Sequence, residues 1–353
     1  MQKKNGSLRI LGCTALGLLG CARGKLDFQS MRKTDAHVHI RYSGPEFMGQ
    51  ATADHFSVVA IVTDHYAIPE QQRWINVQRT VHPASIAFLT SFTVQNWDLP
   101  DWREKTIAGL KCDFDRGALG VKVWKNLGMD LRDKNGAFVM IDDARFDPIF
   151  DFVESRNKTL TGHIGEPHDC WLSLDRMIAG SNRRYYANNP QYHMALHPEY
   201  PSYEDQIRSV SNMLKKHPNV RYVGCHLASI EWNLRKLSQF LDAFPNAAVD
   251  LAARVDDIQY LDRTELRKFF IRYQDRILYG TDLEIHESRN PADIVKRMRK
   301  TWTDDWKYFS SDSLVNVSGS DPPVKAGGLD LPESVLGKIY HGNAVKWYPG
   351  IKP

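Results

Sequence analysis

The amino-acid sequence predicts a single α/β domain built as a (β/α)8 TIM barrel, and three observations lead to that prediction. Eight short apolar runs rich in β-branched residues alternate with longer segments of helical periodicity. Most of these runs are continuously apolar, which is typical of parallel strands buried on both faces. Eight such units in 353 residues favour a barrel over an open doubly wound sheet, and no GxGxxG motif follows the first run.

The elements follow one another along the whole chain. The candidate strands are 34–40, 57–63, 86–93, 119–124, 159–163, 220–226, 248–252 and 276–280. Segments with helical spacing of apolar residues are 149–156, 203–216, 232–244 and 264–273. Two connections are longer than ordinary loops. We expect residues 166–202 to form a lid over the site, and residues 310–331 to wrap the barrel before a C-terminal helix at 333–346.

The first twenty residues have the composition of a secretory signal peptide. A cationic start precedes a short apolar stretch that ends in the tetrapeptide LLGC at Cys21. This ending resembles a bacterial lipobox. We therefore expect cleavage after residues 1–20 and lipidation of Cys21, with a plain secretory signal as the alternative. The protein would be exported and held at a membrane only through its lipid anchor, with 21–32 as a tether to one domain at 33–353.

The charge composition argues against a nucleic-acid partner. The chain has 46 Lys and Arg against 42 Asp and Glu, a formal net charge of +4. Without the three cations of residues 1–20, 43 cations face the same 42 acids, and the net charge is +1. Such a chain lacks the basic surface of a nucleic-acid binder. The cysteines form no CxxC pair, and Cys225 is expected in the core, facing away from the neighbouring histidine.

Two histidines one residue apart begin the candidate site. In the stretch DAHVH, His37 and His39 occupy positions i and i+2 of a strand and therefore project from the same face. Both imidazoles can reach one ion, and histidine nitrogen is a preferred ligand of zinc and similar metals. Asp35 lies two residues before His37 and is therefore expected on the same face of the strand. We expect its carboxylate to hydrogen-bond and orient the histidines that bind the metal.

Further candidate ligands stand at the ends of other strands. His163 ends the fifth strand, His226 ends the sixth, and Asp282 follows the eighth. The carboxyl ends of the strands of a barrel surround one mouth, where functional residues gather. Histidines and one carboxylate at that mouth predict an open site for a divalent metal, zinc first, with iron or manganese as alternatives.

The chain resembles the amidohydrolase superfamily, and within it the amidohydrolase-related group that contains aminocarboxymuconate-semialdehyde decarboxylase. The motifs that carry the resemblance are DAHVH, then GH at 162–163, GCH at 224–226, GTD at 280–282 and IYHGNA at 339–344. The resemblance implies a catalytic divalent metal bound by His37, His39, His163 and Asp282. It also implies that His226 is a catalytic residue beside the metal, and that Asp282 accepts a proton from the metal-bound water.

The resemblance leaves the reaction and the number of metals open. The first expectation is hydrolysis of an amide, ester or lactone, and the alternative is nonoxidative decarboxylation of a carboxylic acid. A noncatalytic binding lipoprotein is the second alternative. In either enzyme the partner is a small-molecule substrate, and a homo-oligomer is compatible with the sequence. One ion per chain is expected, although a carboxylated lysine bridges two metals in binuclear members, a role open to Lys122 or Lys125.

Four residues are candidates for substrate contact. They are Lys122, Trp124, Glu166 and Arg254. Lys122 could hold a substrate carboxylate as a point charge, or pair with a barrel acid such as Glu166. Glu166 could act near the metal or fix a loop. Arg254 could bind an anionic substrate or cap a helix, and Trp124 could line the pocket or pack in the barrel.

Overall fold

The computed structural model describes residues 27–320 and 322–352, so the predicted signal peptide and Cys21 lie outside the described residues. Nine parallel strands form the central sheet, in the order β8-β7-β6-β5-β4-β3-β2-β1-β9. They are β1 Lys33–Arg41, β2 Phe56–Ile61, β3 Ile86–Ser91, β4 Gly120–Val123, β5 Thr159–Gly162, β6 Arg221–Gly224, β7 Ala247–Asp250, β8 Ile277–Leu278 and β9 Leu283–His286. Eight of them match the eight predicted strands.

The sheet closes into a barrel through an eighth strand that is broken in two. After the break, β9 pairs with β1 in parallel over four residues. Before it, the Ala36 amide of β1 donates to the Tyr279 carbonyl at 2.9 Å. The residues between the two parts leave the ladder and place Asp282 at a φ of +63°. The predicted (β/α)8 fold is therefore confirmed, and among the strands of the barrel only the second part of the last one was not predicted.

Helices surround the barrel. In chain order they are α1 Glu46–Ala53, α2 Ile68–Val81, α3 Trp102–Asp115, α4 Asn126–Met129, α5 Asp147–Ser155, α6 Gly180–Asn188, α7 Tyr203–Lys216, α8 Cys225–Ala228, α9 Leu234–Ala243, α10 Val255–Ile258, α11 Arg263–Arg272, α12 Pro291–Ser310, α13 Glu333–Gly337 and α14 Asn343–Trp347. At least one longer helix follows each of the eight predicted strands, and both α6 and α7 follow β5. The predicted segment 203–216 coincides with α7, which begins at a capping box formed by Ser202 and Asp205.

The predicted lid, 166–202, is a folded excursion with a small core of its own. Short 3-10 turns flank α6, and Cys170, Met177, Tyr186 and Met194 pack together there. The second long connection, 310–331, contains a two-stranded antiparallel ribbon. Its strands are β10 Leu314–Asn316 and β11 Lys325–Gly327.

The C-terminal segment covers the end of the barrel opposite the mouth, which we call the closed end. The predicted helix 333–346 is present as α13, one turn of π-helix at Lys338–Gly342, and α14. The Asn343 side-chain amide donates to two barrel carbonyls at 2.7 Å each.

None of the helices in residues 27–320 and 322–352 is long and apolar enough to cross a membrane.

Candidate metal centre

His37 presents a buried lone pair to the mouth of the barrel. Its Nδ1–H donates to Oδ2 of Asp250, at the end of β7, at 2.8 Å. Because the proton lies on Nδ1, the lone pair of the neutral ring lies on Nε2. Burial lowers the pKa of His37, which favours the neutral ring. Nε2 is buried without a hydrogen-bond partner and lies 3.3 Å from Oδ1 of Asp282.

His39 and His226 are fixed in the same tautomer by backbone carbonyls. The Nδ1–H of His39 donates to the Ile61 carbonyl at 3.0 Å, and that of His226 to the Ala252 carbonyl at 2.8 Å. Burial lowers the pKa of His226 to about 3, so this ring is neutral. His39 Nε2 lies 3.1 Å from Oδ1 of Asp282. Three histidines thus turn Nε2 toward the same mouth.

The charge distribution around Asp282 calls for a cation. Protonated imidazoles around Asp282 would hold its pKa well below the ordinary range, but burial lowers the pKa of His37 and His226 and favours their neutral rings. The carboxylate therefore faces the lone pairs of His37 and His39 at 3.1–3.3 Å, an arrangement that is repulsive until a cation joins them. Ligand atoms of His37, His226 and Asp282 all lie within 4.8 Å of one another. This nitrogen and carboxylate set fits zinc, manganese or iron.

His163 lies one step outside this group. Its Nδ1–H donates to Nε2 of His226 at 3.1 Å. Its own Nε2 is buried without a hydrogen-bond partner, 4.0 Å from a carboxylate oxygen of Glu166. The resemblance implied His163 as a ligand and His226 beside the metal. Nε2 of His226 lies closer to Asp282, but its lone pair accepts from His163, whereas the lone pair of His163 has no partner, so both roles stay predictions.

Asp250 is the site residue that the sequence analysis missed. One of its oxygens accepts from His37, and the other accepts from the backbone amides of His226 at 2.8 Å and Ala252 at 3.2 Å. It thereby positions the ends of β1, β6 and β7 together. The available signal was an acidic residue at the end of an apolar strand, in the run AAVDLAA.

Asp35 does not orient the histidine rings as expected. The ladder of β1 is irregular between Asp35 and Val38, so the alternation of faces is interrupted there. Asp35 accepts from the backbone amide of His37 at 3.2 Å, the Thr281 hydroxyl at 2.6 Å and the Trp302 indole at 3.0 Å. It therefore fixes the backbone behind the site.

A left-handed turn follows β6 and places the side chains of Cys225 and His226, which are adjacent in the sequence, inside the barrel. His226 through Ser229 have φ values of +59°, +57°, +55° and +57°. The turn folds back so closely that a Cβ at Gly224 would lie 2.6 Å from Cβ of Ala228. Cys225 is buried, as expected, but it does not face away from His226. The turn breaks the alternation, and Cys225 Sγ lies 2.8 Å from Nζ of Lys122.

The predicted substrate residues separate into two groups. Lys125 and Glu166 form an ion pair, and Trp124 lies next to them against the ring of His65 at 4.7 Å. Pairing with Glu166 was one alternative for Lys122. Lys125 forms this pair instead. Lys122 is buried in β4 beside Cys225, and neither lysine bridges two groups of ligands in the described geometry.

Arg254 lies in the wall of a cleft of about 900 Å³ that opens from the mouth. Asp282 lines the same cleft, together with Asp257 after β7 and Tyr185 of the lid. Arg254 is only 7% exposed. The cleft therefore connects the candidate metal centre with a buried guanidinium group.

Comparisons with known proteins agree with the fold and identify the family. The sequence profile of the amidohydrolase family matches residues 35–350. Two structures of 2,6-dihydroxybenzoate decarboxylase, one complexed with 2,6-dihydroxybenzoate and one from Rhizobium, superpose with a TM-score of 0.51 at 14% identity. Both matches cover 90% of this chain, and 99% and 98% of the respective enzyme.

A dihydroxybenzoic acid decarboxylase from Polaromonas sp. JS666, with bound manganese and the inhibitor 2-nitroresorcinol, gives a TM-score of 0.50 at 13% identity. That match covers 92% of this chain and 98% of the enzyme. At such identities the likeness shows the fold. No curated protein sequence matches the chain significantly. Because the family profile spans nearly all of the barrel, the chain belongs to the amidohydrolase family of enzymes.

Proposed function

We propose that the protein is a metal-dependent decarboxylase that releases carbon dioxide from a small carboxylic acid. This was the alternative in the sequence analysis, and we now prefer it to hydrolysis. The single observation that carries the proposal is a buried arginine, Arg254, in the wall of the cleft that Asp282 also lines. The likeness in fold to dihydroxybenzoate decarboxylases supports it.

We assign the metal to His37, His39, His163 and Asp282, because the Nε2 lone pair of His163 has no partner, whereas that of His226 already accepts from His163. A bound divalent ion would polarise a substrate oxygen and stabilise negative charge that develops during the reaction. The chain itself supplies the orientation. Asp250 holds the ring of His37 and the backbone of His226, and such supporting bonds fix the direction of a ligand.

Arg254 is suited to bind a substrate carboxylate. Among the described residues, its side chain makes one hydrogen bond, to the Ala253 carbonyl at 2.8 Å. The carboxylates of Glu231 and Asp257 lie at 4.0 Å and 3.8 Å, too far for hydrogen bonds, and Nε is buried without a partner. The guanidinium group therefore keeps most of its donors for a ligand. A carboxylate matches its planar, bidentate geometry.

Asp257 is suited to supply the proton that decarboxylation needs. When the carbon–carbon bond breaks, its electron pair stays on carbon and must accept a proton. Burial raises the pKa of Asp257 to about 7, so a substantial fraction of this acid is protonated near neutral pH. Asn182 of the lid donates to the same carboxyl group at 3.1 Å, which fixes its position in the cleft.

Product analysis tests the proposal. Manganese-loaded and zinc-loaded protein is incubated with a panel of hydroxybenzoates, including 2,6-dihydroxybenzoate, and separately with aryl esters and lactones. Decarboxylation predicts carbon dioxide release and, in deuterated water, one deuterium on the carbon that lost the carboxylate. Hydrolysis of the esters or lactones with incorporation of oxygen from labelled water, and no carbon dioxide from any acid, would overturn the proposal.

Two variants assign the roles within the cleft. Arg254→Gln is expected to raise KM for the acid roughly tenfold or more, because a charge-assisted bidentate contact is lost. Asp257→Asn is expected to lower kcat and to abolish the fall in rate above about pH 7 that deprotonation of Asp257 causes in the wild type. Arg235→Gln, on the outer surface of α9, is the matched control and should change neither constant.

A further inference from the structure

A second group of metal-type donors lies deeper in the barrel than the candidate metal centre. It consists of Cys225, Asp250 and His37, whose ligand atoms lie within 4.8 Å of one another. All three residues are buried. A thiol, a carboxylate and an imidazole form a donor set that zinc and cobalt bind readily. The proposed function gives no role to Cys225.

A positive charge already lies against this deeper group. Lys122 enters from β4 and is 1% exposed. Its Nζ lies 2.8 Å from Cys225 Sγ, and among the described residues this is the one hydrogen bond that the amine makes. The oxygens of Asp250 accept from other donors, yet their charge acts on Lys122 from nearby, because Lys122 contributes to the low pKa of Asp250.

This environment is unusual for a lysine that only stabilises the fold. An ammonium group has three donors, and a thiol is a weak acceptor. A buried charge is costly unless opposite charges compensate for it. Here the compensating charge is the carboxylate of Asp250, which also orients His37 of the metal centre. Lys122 therefore lies where a second cation would gain the same stabilisation.

We propose that Lys122 takes the place of a second metal ion and thereby limits the protein to one metal per chain. Its positive charge repels a second ion from the Cys225 and Asp250 pair, and its side chain fills the space that this ion would need. Lys122 is thus a positioning residue that sets the metal stoichiometry, in contrast to a carboxylated lysine that bridges two ions. The inference rests on the proposed metal centre but not on the proposed reaction.

Cobalt(II) titration of purified, metal-free protein tests this inference, because a thiolate bound to cobalt gives an intense near-ultraviolet charge-transfer band. We expect wild-type protein to bind one cobalt per chain without that band. Lys122→Ala removes the charge and opens space, and we expect it to bind two cobalt ions with the band. Lys122→Leu is the matched control. It removes the charge but keeps the bulk, so we expect one ion and no band.

A double variant identifies the second ligand set. Adding Cys225→Ser to Lys122→Ala should abolish the charge-transfer band, because the thiolate is its source. A folded Lys122→Ala protein that binds one cobalt without the band would overturn the inference. Wild-type protein that binds two ions, or that shows the band, would also overturn it. If Lys122→Ala does not fold by circular dichroism, Lys122→Ser gives the same test with a small polar side chain.

The outcome is separable from that of the proposed function. The titration follows bound metal and thiolate absorption, and it needs no substrate. An enzyme that proved to be a hydrolase would leave the expected stoichiometries unchanged. Conversely, a second cobalt site in wild-type protein would overturn the role of Lys122 and leave the carbon dioxide assay to decide the reaction.

Discussion

The two ends of the barrel differ in whether their buried polar groups have hydrogen-bond partners. At the closed end, Asn343 donates to two carbonyls and the Trp347 indole donates to a third, at 2.7–2.9 Å. At the mouth, His37 and His163 each keep a buried Nε2 without a partner, and Asp282 faces two imidazole lone pairs. The hydrogen bonds of Asn343 and Trp347 stabilise the fold, whereas the polar groups around Asp282 are arranged for a ligand.

The backbone shows the same difference. The mouth contains four consecutive left-handed residues, His226 through Ser229, and two further ones, Ala253 and Asp282. Each non-glycine residue in such a conformation costs about 1–3 kcal/mol. At the closed end, α13 and α14 have ordinary dihedral angles, and the left-handed residues before β2 and β5, His55 and Asn157, stand singly. Strain is thus concentrated where ligand binding can compensate for it, and the following predictions test that separation.

The largest expected effect is that of Asp282→Asn. Loss of the carboxylate removes the negative charge that holds the metal, and we expect metal content near zero and a fall in turnover of about a thousandfold or more, equivalent to about 4 kcal/mol. In metal-free protein, however, the same change relieves repulsion between the carboxylate and the lone pairs of His37 and His39. Urea unfolding of the metal-free variant should therefore show a stability equal to or above that of metal-free wild type. A large loss of stability would contradict the ligand role.

A smaller effect at the mouth is expected for Asp250→Asn. Asp250 orients His37 and the backbone of His226, and loss of such support lowers metal affinity by about 10–100-fold. Competition against a chromophoric chelator measures this affinity. Asp113→Asn is the matched control, because Asp113 of α3 is also buried and accepts hydrogen bonds, from Gln72 and Thr90, but does not line the cleft at the mouth. It should lower thermal stability and leave the metal affinity of the folded protein unchanged.

At the closed end, Asn343→Ala should have the converse outcome. The side-chain amide of Asn343 is the partner of two barrel carbonyls, and leaving buried acceptors unpaired costs about 1–3 kcal/mol. We expect a loss of about 2 kcal/mol in the free energy of unfolding, measured by urea denaturation. Metal affinity and turnover of the folded protein should be unchanged. A change in metal affinity would show that the two ends are coupled.

The sequence predicts the closed end and the barrel better than the mouth. Strands and helices depend on local patterns, so the eight main strands and α7 could be read from apolar periodicity. The positions of the side chains at the mouth depend on contacts between residues that are far apart in the sequence. The bond between His37 and Asp250 joins residues 213 positions apart, and no local pattern indicates it.

Backbone irregularities account for the other differences. The expectations for Asp35 and Cys225 assumed regular alternation along a strand. An irregular ladder in β1 and a left-handed turn after β6 break that alternation at the positions concerned. Non-glycine residues rarely adopt a left-handed run, and the sequence GCHLAS has no feature that predicts one.

The smallest expected effect concerns Asp305, which lies between the two ends. Burial raises the pKa of Asp305 from 3.8 to about 8, and Tyr279 donates to its carboxyl group at 2.8 Å. Because the folded chain binds this proton more tightly than the unfolded chain, its contribution to stability is full below about pH 4 and declines as the pH rises toward 8. Asp305→Asn keeps an acceptor for Tyr279 but has no proton to lose. The free energy of unfolding should therefore fall less steeply between pH 5 and 8 in the variant.

The free energy of unfolding should change with pH at different slopes in wild type and Asp305→Asn. The two slopes should differ by less than the full value of about 1.4 kcal/mol per pH unit, because Asp305 lines the cleft and keeps part of its exposure to solvent. Urea denaturation of metal-free protein at several pH values measures it without interference from the metal centre. If wild type and variant gave parallel pH profiles, Asp305 would be ionised in the folded state, and its environment would resemble the charged mouth. If the wild type alone declined, the neutral form would be the native one, and Asp305 would belong with the groups that stabilise the fold.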